Sequence, residues 1–309
     1  MHDLDVLLQS QRLPVAMFEV FRKGVSFPVE DWSVLAGPDH RRERFASTER
    51  LLDLYKDGAT LVVNGVHRCL PRLGALCRQL TRELEFPVQG NVYITPPGAQ
   101  GFSRHSDDHD VLVLQIHGNK TWRLIPEPDR IISIELNEGD FLYIPRGLAH
   151  EAESTHAASI HLTLGLKPVY LFQLVEELAA VAREHPEFQK PVHFGSAESG
   201  RERTTELEPA NFSRFVQSLL QETPPATLMA RRRSAMVRTQ DAGWENRLSD
   251  VLQVPRLGPG SFVGARPDLA ACVLEDGKNV KVEFAGNSVV VPLFLRSVVD
   301  QLLGEEAVQ

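Results

Sequence analysis

Cysteine is scarce in this sequence and follows no pattern. Cys69, Cys77 and Cys272 are odd in number and share no metal-ligand spacing, which argues against a disulfide framework and for free thiols in a reducing compartment. No apolar run is long enough to span a membrane. The opening MHDLDVLLQSQRLP has early acids and no sustained apolar core, unlike a signal peptide, so the expectation is a cytoplasmic protein with no membrane partner. Positive charge is also in deficit: 33 Lys and Arg stand against 41 Asp and Glu, a formal net charge of -8. That balance gives no overall attraction to nucleic acid and fits a basic protein or peptide partner better. The basic run Arg231-Arg232-Arg233 reads as a solvated helix face. What the chain does have is length and an ordinary globular composition, 309 residues with 42% hydrophobic and 24% charged, enough for two or three domains around a substantial core.

The texture of the chain changes twice. From Leu4 to Arg82 the spacing is helical in places, as in LPRLGALCRQLTREL, and predicts a helix-rich lead-in. From Val88 to Leu166 short strand-like runs follow one another: NVYIT, VLVLQI, TWRLI, IISIEL, FLYIP and ASIHLTLGL, separated by PPG, HGN, PEP, NEGD and RG. Strands joined by tight turns, with no helical crossover, predict an antiparallel barrel or jelly roll with its site in the mouth. Beyond Leu166 helical stripes return at Leu171, Leu174, Val175 and Leu178, and at Phe212, Phe215, Val216, Leu219 and Leu220. They suit either a small bundle or a dimerisation surface. The stretch from Glu184 to Glu208 reads as a loop, and VKVEF, the Gly286-Asn287 turn, SVVVP and LFLRSVVDQLL predict a hairpin beside a helix.

Chemistry concentrates in HSDDHDVLVLQIHGNKTW. In an extended segment His105 and Asp107 face the same way. His109 shares that parity, whereas Asp108 and Asp110 do not. GDFLYIPRGLAH supplies His150, at the end of a strand that starts after a Gly-Asp turn and stops at Pro-Arg-Gly. In a jelly roll, strands distant in sequence lie side by side, so the three groups can meet. Two histidines and one carboxylate on one face of a metal leave the other face open, a set suited to non-haem Fe(II) and also acceptable to catalytic zinc. His117 and His156 read as surface residues, and His161, alternating with Thr163, as a residue facing the cavity.

NVYITPPGAQGFSRHSDDHDVLVLQIHGNKTWRL, followed by GDFLYIPRGLAHEAES and SIHLTLGL, resembles the JmjC-type cupin oxygenases that include the bacterial and human ribosomal oxygenases. The resemblance spans roughly Thr60 to Leu166. It implies a double-stranded β-helix with His105, Asp107 and His150 as iron ligands and 2-oxoglutarate as co-substrate. By the same motif match Lys120 would face the distal carboxylate of 2-oxoglutarate, though a lysine after a Gly-Asn turn is ordinarily exposed. Asn91, Tyr93 and Thr163 would contact the co-substrate or line its pocket, while their plain reading is barrel lining. Gly165 departs from the pattern, standing where family members commonly carry a serine.

The expected fold is mainly β with α: a jelly-roll (JmjC/cupin) core with its helical lead-in over 1–167, a helical, dimerisation-like segment over 168–235, and a small winged-helix-like α+β module over 236–309. The expected function is an Fe(II)- and 2-oxoglutarate-dependent hydroxylation of an amino-acid side chain in a protein or peptide, such as a basic ribosomal protein, by a homodimer. Two alternatives stay open: a tailoring hydroxylase of a small peptide or amino acid, and a non-catalytic metal-binding cupin. A zinc cupin is disfavoured by Lys120, because an interior cation is costly without a dicarboxylate to hold.

Overall fold

The structure, a computed structural model, describes residues 2–9, 13–37, 42–190, 209–240, 247–258, 260–265 and 269–304. The lead-in holds α1 (His2–Leu8), β1 (Phe18–Arg22), β2 (Val25–Ser26), α2 (Val29–Trp32), β3 (Ser33–Ala36), β4 (Glu43–Ala46), α3 (Thr48–Lys56), β5 (Thr60–Val63) and α4 (Pro71–Leu84). Next come β6 (Val88–Thr95), β7 (Asp110–His117), β8 (Lys120–Glu127), β9 (Arg130–Leu136), β10 (Phe141–Ile144), β11 (Ala149–Ser154) and β12 (Ser159–Leu166). The remainder is α5 (Leu171–Glu184), α6 (Pro209–Glu222), α7 (Pro225–Thr239), α8 (Arg247–Gln253), β13 (Ala271–Asp276), β14 (Asn279–Phe284), β15 (Asn287–Pro292) and α9 (Arg296–Leu303).

A seven-stranded sheet in the order β10-β7-β12-β6-β5-β1-β2 and a three-stranded sheet in the order β11-β8-β9 make the jelly roll. Every strand pair in them is antiparallel, as the tight turns demand. Among the described residues the lead-in holds four helices, as expected, and it also contributes β1, β2 and β5 to the large sheet. TLVV and FEVFR are short apolar runs, and a run of that length does not separate a buried strand from a helix.

β12 shows how the sheet is supported. All eight of its residues are buried. Ile160, Leu162, Leu164 and Leu166 pack into one core with Val88, Val92, Cys77 and the lead-in side chains, while the alternate positions face the barrel interior. Thr81 of α4 donates to the Cys77 carbonyl at 2.8 Å and accepts the Val88 amide at 3.1 Å, which fixes the start of β6 against the helix. Deeper in the jelly roll a second core joins Val111, Val113, Trp122, Leu124, Leu136 and Ile144.

Beyond the barrel, the apolar stripe on α5 is partly exposed: Leu171 and Val175 are 82% and 65% exposed, while Leu174 and Leu178 are half-buried. The basic run is a partly exposed helix face, as expected, that also meets acidic side chains. Arg231 and Arg232 approach Glu177 of α5 at 3.9 and 3.7 Å, and Arg233 approaches Glu85 at 3.4 Å, so the run ties α7 to α5 and to the end of α4. β13, β14 and β15 form a sheet, which adds a strand to the expected hairpin. Met236 and Val237 of α7 pack on Ala270 and Cys272, so α7 crosses the boundary expected after residue 235. The expected loop to Glu208 begins with a short 3-10 turn at Pro186–Gln189, and its part from 191 to 208 lies outside the described residues. Cys69, Cys77 and Cys272 are free thiols.

Candidate metal and co-substrate site

Between the two sheets lies a cavity of about 200 Å³. Its walls follow the two-residue period of the strands: Gln89, Asn91 and Tyr93 from β6, His161 and Thr163 from β12, Lys120 and Trp122 from β8, His150 and Ala152 from β11. The cross-strand register sets His161 opposite Tyr93 and Thr163 opposite Asn91. A wider groove of about 760 Å³ runs between α5, α7 and the terminal sheet, but the side chains able to hold a metal are in the smaller cavity.

His105, Asp107 and His150 meet there, with one potential ligand atom from each within 4.8 Å of the others; among the described residues they are the one such group. Their backbone differs from the expectation in two respects. His105 and Asp107 precede β7 in a loop rather than belonging to a strand, and His150 is the second residue of β11, not the end of β10. What orients them is a reciprocal bridge: the His105 amide donates to the His150 carbonyl at 3.1 Å, and the His150 amide donates to the His105 carbonyl at 2.8 Å. Asp107 is fixed through its own carbonyl, which accepts the Gly147 amide at 2.8 Å. The neighbouring Asp110 accepts the Arg146 amide at 2.8 Å, and the carbonyl of Asp108 accepts the hydroxyl of Tyr170, the residue that caps α5.

Hydrogen bonding also settles which imidazole nitrogens are available. Nδ1 of His105 lies 2.9 Å from the Ser103 carbonyl and Nδ1 of His150 lies 2.9 Å from the Leu148 carbonyl. A carbonyl only accepts, so Nδ1 is the donor in each ring and Nε2 is the nitrogen turned away from the backbone and left for a metal. His150 Nε2 lies 3.7 Å from Asp107 Oδ2. Burial, then the charge of neighbouring His105, lowers the His150 pKa against the raising effect of the Leu148 bond, which favours the neutral ring.

Lys120 is 3% exposed on the cavity wall. Its ammonium donates to Thr95 Oγ1 at 3.0 Å, and among the described residues no carboxylate pairs with it. Burial pushes its pKa down to about 7. His161 stacks on Tyr93 with ring centroids 4.6 Å apart, and burial followed by the nearby Lys120 charge holds its pKa well below the ordinary value. His161 Nδ1 and Trp122 Nε1 are buried without a hydrogen-bond partner. Tyr93 remains a protonated phenol, because burial and then the Asp107 and Glu19 carboxylates raise its pKa. Two imidazoles and a carboxylate, beside an isolated buried cation and two orphaned nitrogens, fit a divalent metal and a small dicarboxylate.

All seven residues singled out from the sequence, His105, Asp107, His150, Lys120, Asn91, Tyr93 and Thr163, line this one cavity. Asn91 is partly engaged elsewhere, its Oδ1 accepting the Gly65 amide at 2.9 Å. His117 and His156 lie at the surface and His161 faces the cavity, as expected. Thr95 and Trp122 were missed, although they continue the two-residue period of Asn91 and Tyr93 and of Lys120. Phe102, whose ring packs 5.5 Å from His105, comes from a loop with no periodic signal.

The JmjC domain profile matches residues 67–133 and 125–174. These residues, about a third of the chain, match a JmjC domain. Among curated relatives, the bifunctional lysine-specific demethylase and histidyl-hydroxylase NO66 of Drosophila mojavensis is 32% identical over 133 residues, covering 36% of this chain and 15% of the relative. NO66 of Dictyostelium discoideum is 33% identical over 131 residues, covering 36% of this chain and 26% of the relative. The chain thus spans about a quarter or less of the length of these relatives. Among solved structures, the ribosomal oxygenase YcfD of Escherichia coli superimposes with a TM-score of 0.56 at 17% identity, covering 100% of this chain and 81% of that one. YcfD in complex with cobalt and 2-oxoglutarate superimposes with a TM-score of 0.57 at 16% identity, covering 100% of this chain and 82% of that one. The chain therefore shares its overall fold with YcfD.

Proposed function

We propose that the protein is an Fe(II)- and 2-oxoglutarate-dependent oxygenase that hydroxylates an amino-acid side chain of a protein or peptide. The observation that carries this reading is the pairing of the His105, Asp107 and His150 triad with the buried, carboxylate-free Lys120 in one cavity. An isolated buried ammonium is expensive, and a dicarboxylate co-substrate gives it a partner. In this reading the triad holds Fe(II), Lys120 and Thr95 hold the far carboxylate of 2-oxoglutarate, and Asn91, Tyr93 and Thr163 shape the pocket around it. Bound iron and co-substrate supply oxidative decarboxylation coupled to insertion of one oxygen atom into a C–H bond. The protein contributes geometry and dryness: the two Nδ1 bonds fix the imidazoles, the buried walls exclude water, and Tyr93 and His161 stay uncharged.

A polypeptide substrate is supported by the histidyl-hydroxylase and ribosomal-oxygenase relatives, and a basic one by the net charge of -8. The three free cysteines fit a cytoplasmic location, and the acidic balance argues against a nucleic-acid partner. Among the described residues no helix is long and apolar enough to cross a membrane. We read the chain in three functional parts, 1–167 for catalysis, a helical segment from 168 for homodimerisation through the exposed apolar residues of α5, and a terminal module for interaction, with α7 spanning the boundary expected at 235.

The test is an anaerobic titration with Fe(II) and 2-oxoglutarate, following the metal-to-ligand charge-transfer absorption, beside His150→Ala and Lys120→Ala. The band should form in the wild type, vanish without His150 and require far more 2-oxoglutarate without Lys120. A folded wild type that gives no band with both present sinks the reading. Positive proteins then go to a mass-spectrometric screen of ribosomal proteins and peptides for a gain of one oxygen.

A further inference from the structure

The loop that leads from β6 to His105 is held along both of its edges. On one side is β11: the Ala99 amide donates to Ser154 Oγ at 3.0 Å, and the Ala99 carbonyl accepts the Ser154 amide at 3.0 Å. On the other side is the turn between β1 and β2, far upstream in the lead-in. The Lys23 amide donates to the Gln100 carbonyl at 3.0 Å, and the Gly24 amide donates to the Gly101 carbonyl at 2.6 Å. Lys23 and Gly24 have φ of +49° and +80°, the left-handed pair that a two-residue hairpin between Arg22 and Val25 requires.

Two further contacts of this hairpin converge on His105. Gly24 lies so close to the loop that a Cβ on it would stand 2.9 Å from Ser103 Oγ, 3.0 Å from Ser103 Cβ and 3.2 Å from the Ser103 nitrogen. Ser103 is the residue whose carbonyl lies 2.9 Å from Nδ1 of His105. On β1, the Phe21 ring packs 4.3 Å from Phe102, and Phe102 in turn packs 5.5 Å from His105 and lines the cavity. Gly24 therefore answers two demands, the sign of φ and the lack of room. Gly58 isolates the first of them: its φ is +90°, and nothing lies within 4 Å of where its Cβ would be.

We propose that the β1–β2 hairpin is a positioning element of the metal site, in which Gly24 sets the place of Ser103, Phe21 sets the place of Phe102, and both act through these neighbours on the His105 imidazole. The proposal rests on the metal-site reading and extends it to residues that touch neither metal nor co-substrate. The JmjC match begins at residue 67, so the hairpin lies outside the matched region, and the site of this chain is incomplete without it. Groups that orient a ligand from behind govern how well the ligand binds its ion.

The experiment uses the full chain and Co(II), whose binding is measured by competition with a chromophoric chelator and whose visible bands report ligand geometry. Gly24→Ala should weaken Co(II) by at least about tenfold and shift the bands. Gly58→Ala carries the same backbone strain away from the loop, and should lower the urea midpoint to a similar extent while binding Co(II) within about twofold of wild type with unshifted bands. Adding Ser103→Gly to Gly24→Ala removes the nearest side-chain atoms and should restore part of the affinity. Phe21→Leu should cost at least about fivefold without any change of φ, and it carries the test should Gly24→Ala not fold. Gly24→Ala, or Phe21→Leu in its place, binding within about twofold of wild type with unshifted bands would overturn the proposal alone. A Gly58→Ala loss as large as that of Gly24→Ala, or a double variant no better than Gly24→Ala, would assign the effect to general strain and overturn it as well. A folded wild type that takes up no Co(II) overturns the metal-site reading and this proposal with it.

Discussion

Replacing Lys120 by methionine separates what this residue does for the fold from what it does for the ligand. An ordinary lysine has a pKa of 10.5, and burial brings this one down to about 7. The gap corresponds to an upper bound of roughly 4 to 5 kcal/mol of unfavourable burial in the ligand-free protein at neutral pH. Between the two values the unfolded chain binds more protons than the folded one, so stability should be lowest below pH 7 and rise as pH climbs from 7 towards 10.5. Methionine has a similar length and no charge, so Lys120→Met should raise ligand-free stability at pH 7 by about 2 kcal/mol or more in urea unfolding and flatten that pH dependence. It should also weaken 2-oxoglutarate binding by about 10- to 150-fold, the worth of one charge-assisted hydrogen bond. In wild-type protein, carboxylate binding should restore the proton to the amine. Calorimetry in buffers of different ionisation enthalpy should record uptake of about 0.9 proton per ligand at pH 8 and about 0.1 at pH 6. A methionine variant that is less stable than wild type, or that binds 2-oxoglutarate within about twofold of it, refutes the assignment of Lys120 as the ligand's counter-ion.

Removing one arm of the triad leaves too few ligands, so Asp107→Ala should lose Fe(II) by at least about a hundredfold in competition with a chromophoric chelator and abolish turnover; unchanged activity removes the assignment. Tyr170→Phe deletes the hydroxyl that the Asp108 carbonyl accepts. Amide exchange around residues 107 to 110 should quicken by about fivefold, with global unfolding little changed, and an unaltered exchange pattern would show that α5 does not brace the loop. Gly118 has a φ of +63°, and a Cβ there would run into the Ala158 carbonyl oxygen. Gly118→Ala should therefore destabilise the protein by about 2 kcal/mol or more in chemical denaturation, and a change below about 0.5 kcal/mol would mean that the turn before Lys120 yields easily.

How much of this was legible depended on the strength of the periodic signal. NVYIT, VLVLQI and TWRLI are rich in β-branched and aromatic residues between turn residues, and each became a strand. AHEAES became β11 without any such signal. Its outward glutamates, Glu151 and Glu153, pair with Arg123 on β8, while His150, Ala152 and Ser154 face inward, so charge across strands stands in for apolar alternation. The triad's residues could be named from spacing and resemblance, but the loop that carries His105 and Asp107 could not, because its shape is set by contacts with β11 and Gly147. Lys120 shows the opposite limit. Its position after a turn argues for exposure, and only the register of β8 against β9 and β11 turns it inward. The strands β1 and β5 pair across long stretches of chain, and β2 is two residues long, so none of them leaves a local period. Sequence patterns record local periods better than distant pairings.

The reciprocal amide bridge between His105 and His150 has a consequence for how the protein lives with its metal. Two ligands held in register by main chain keep their places when the ion leaves. Folding need not wait for the ion, unlike in small domains that take shape only around one. Loss of the ion, for instance after stray oxidation, is then repaired by capture of another from solution, with no new synthesis. Two imidazoles and one carboxylate also accept more than one divalent ion, so a site that keeps its shape without one leaves the choice of metal to ligand chemistry and supply together.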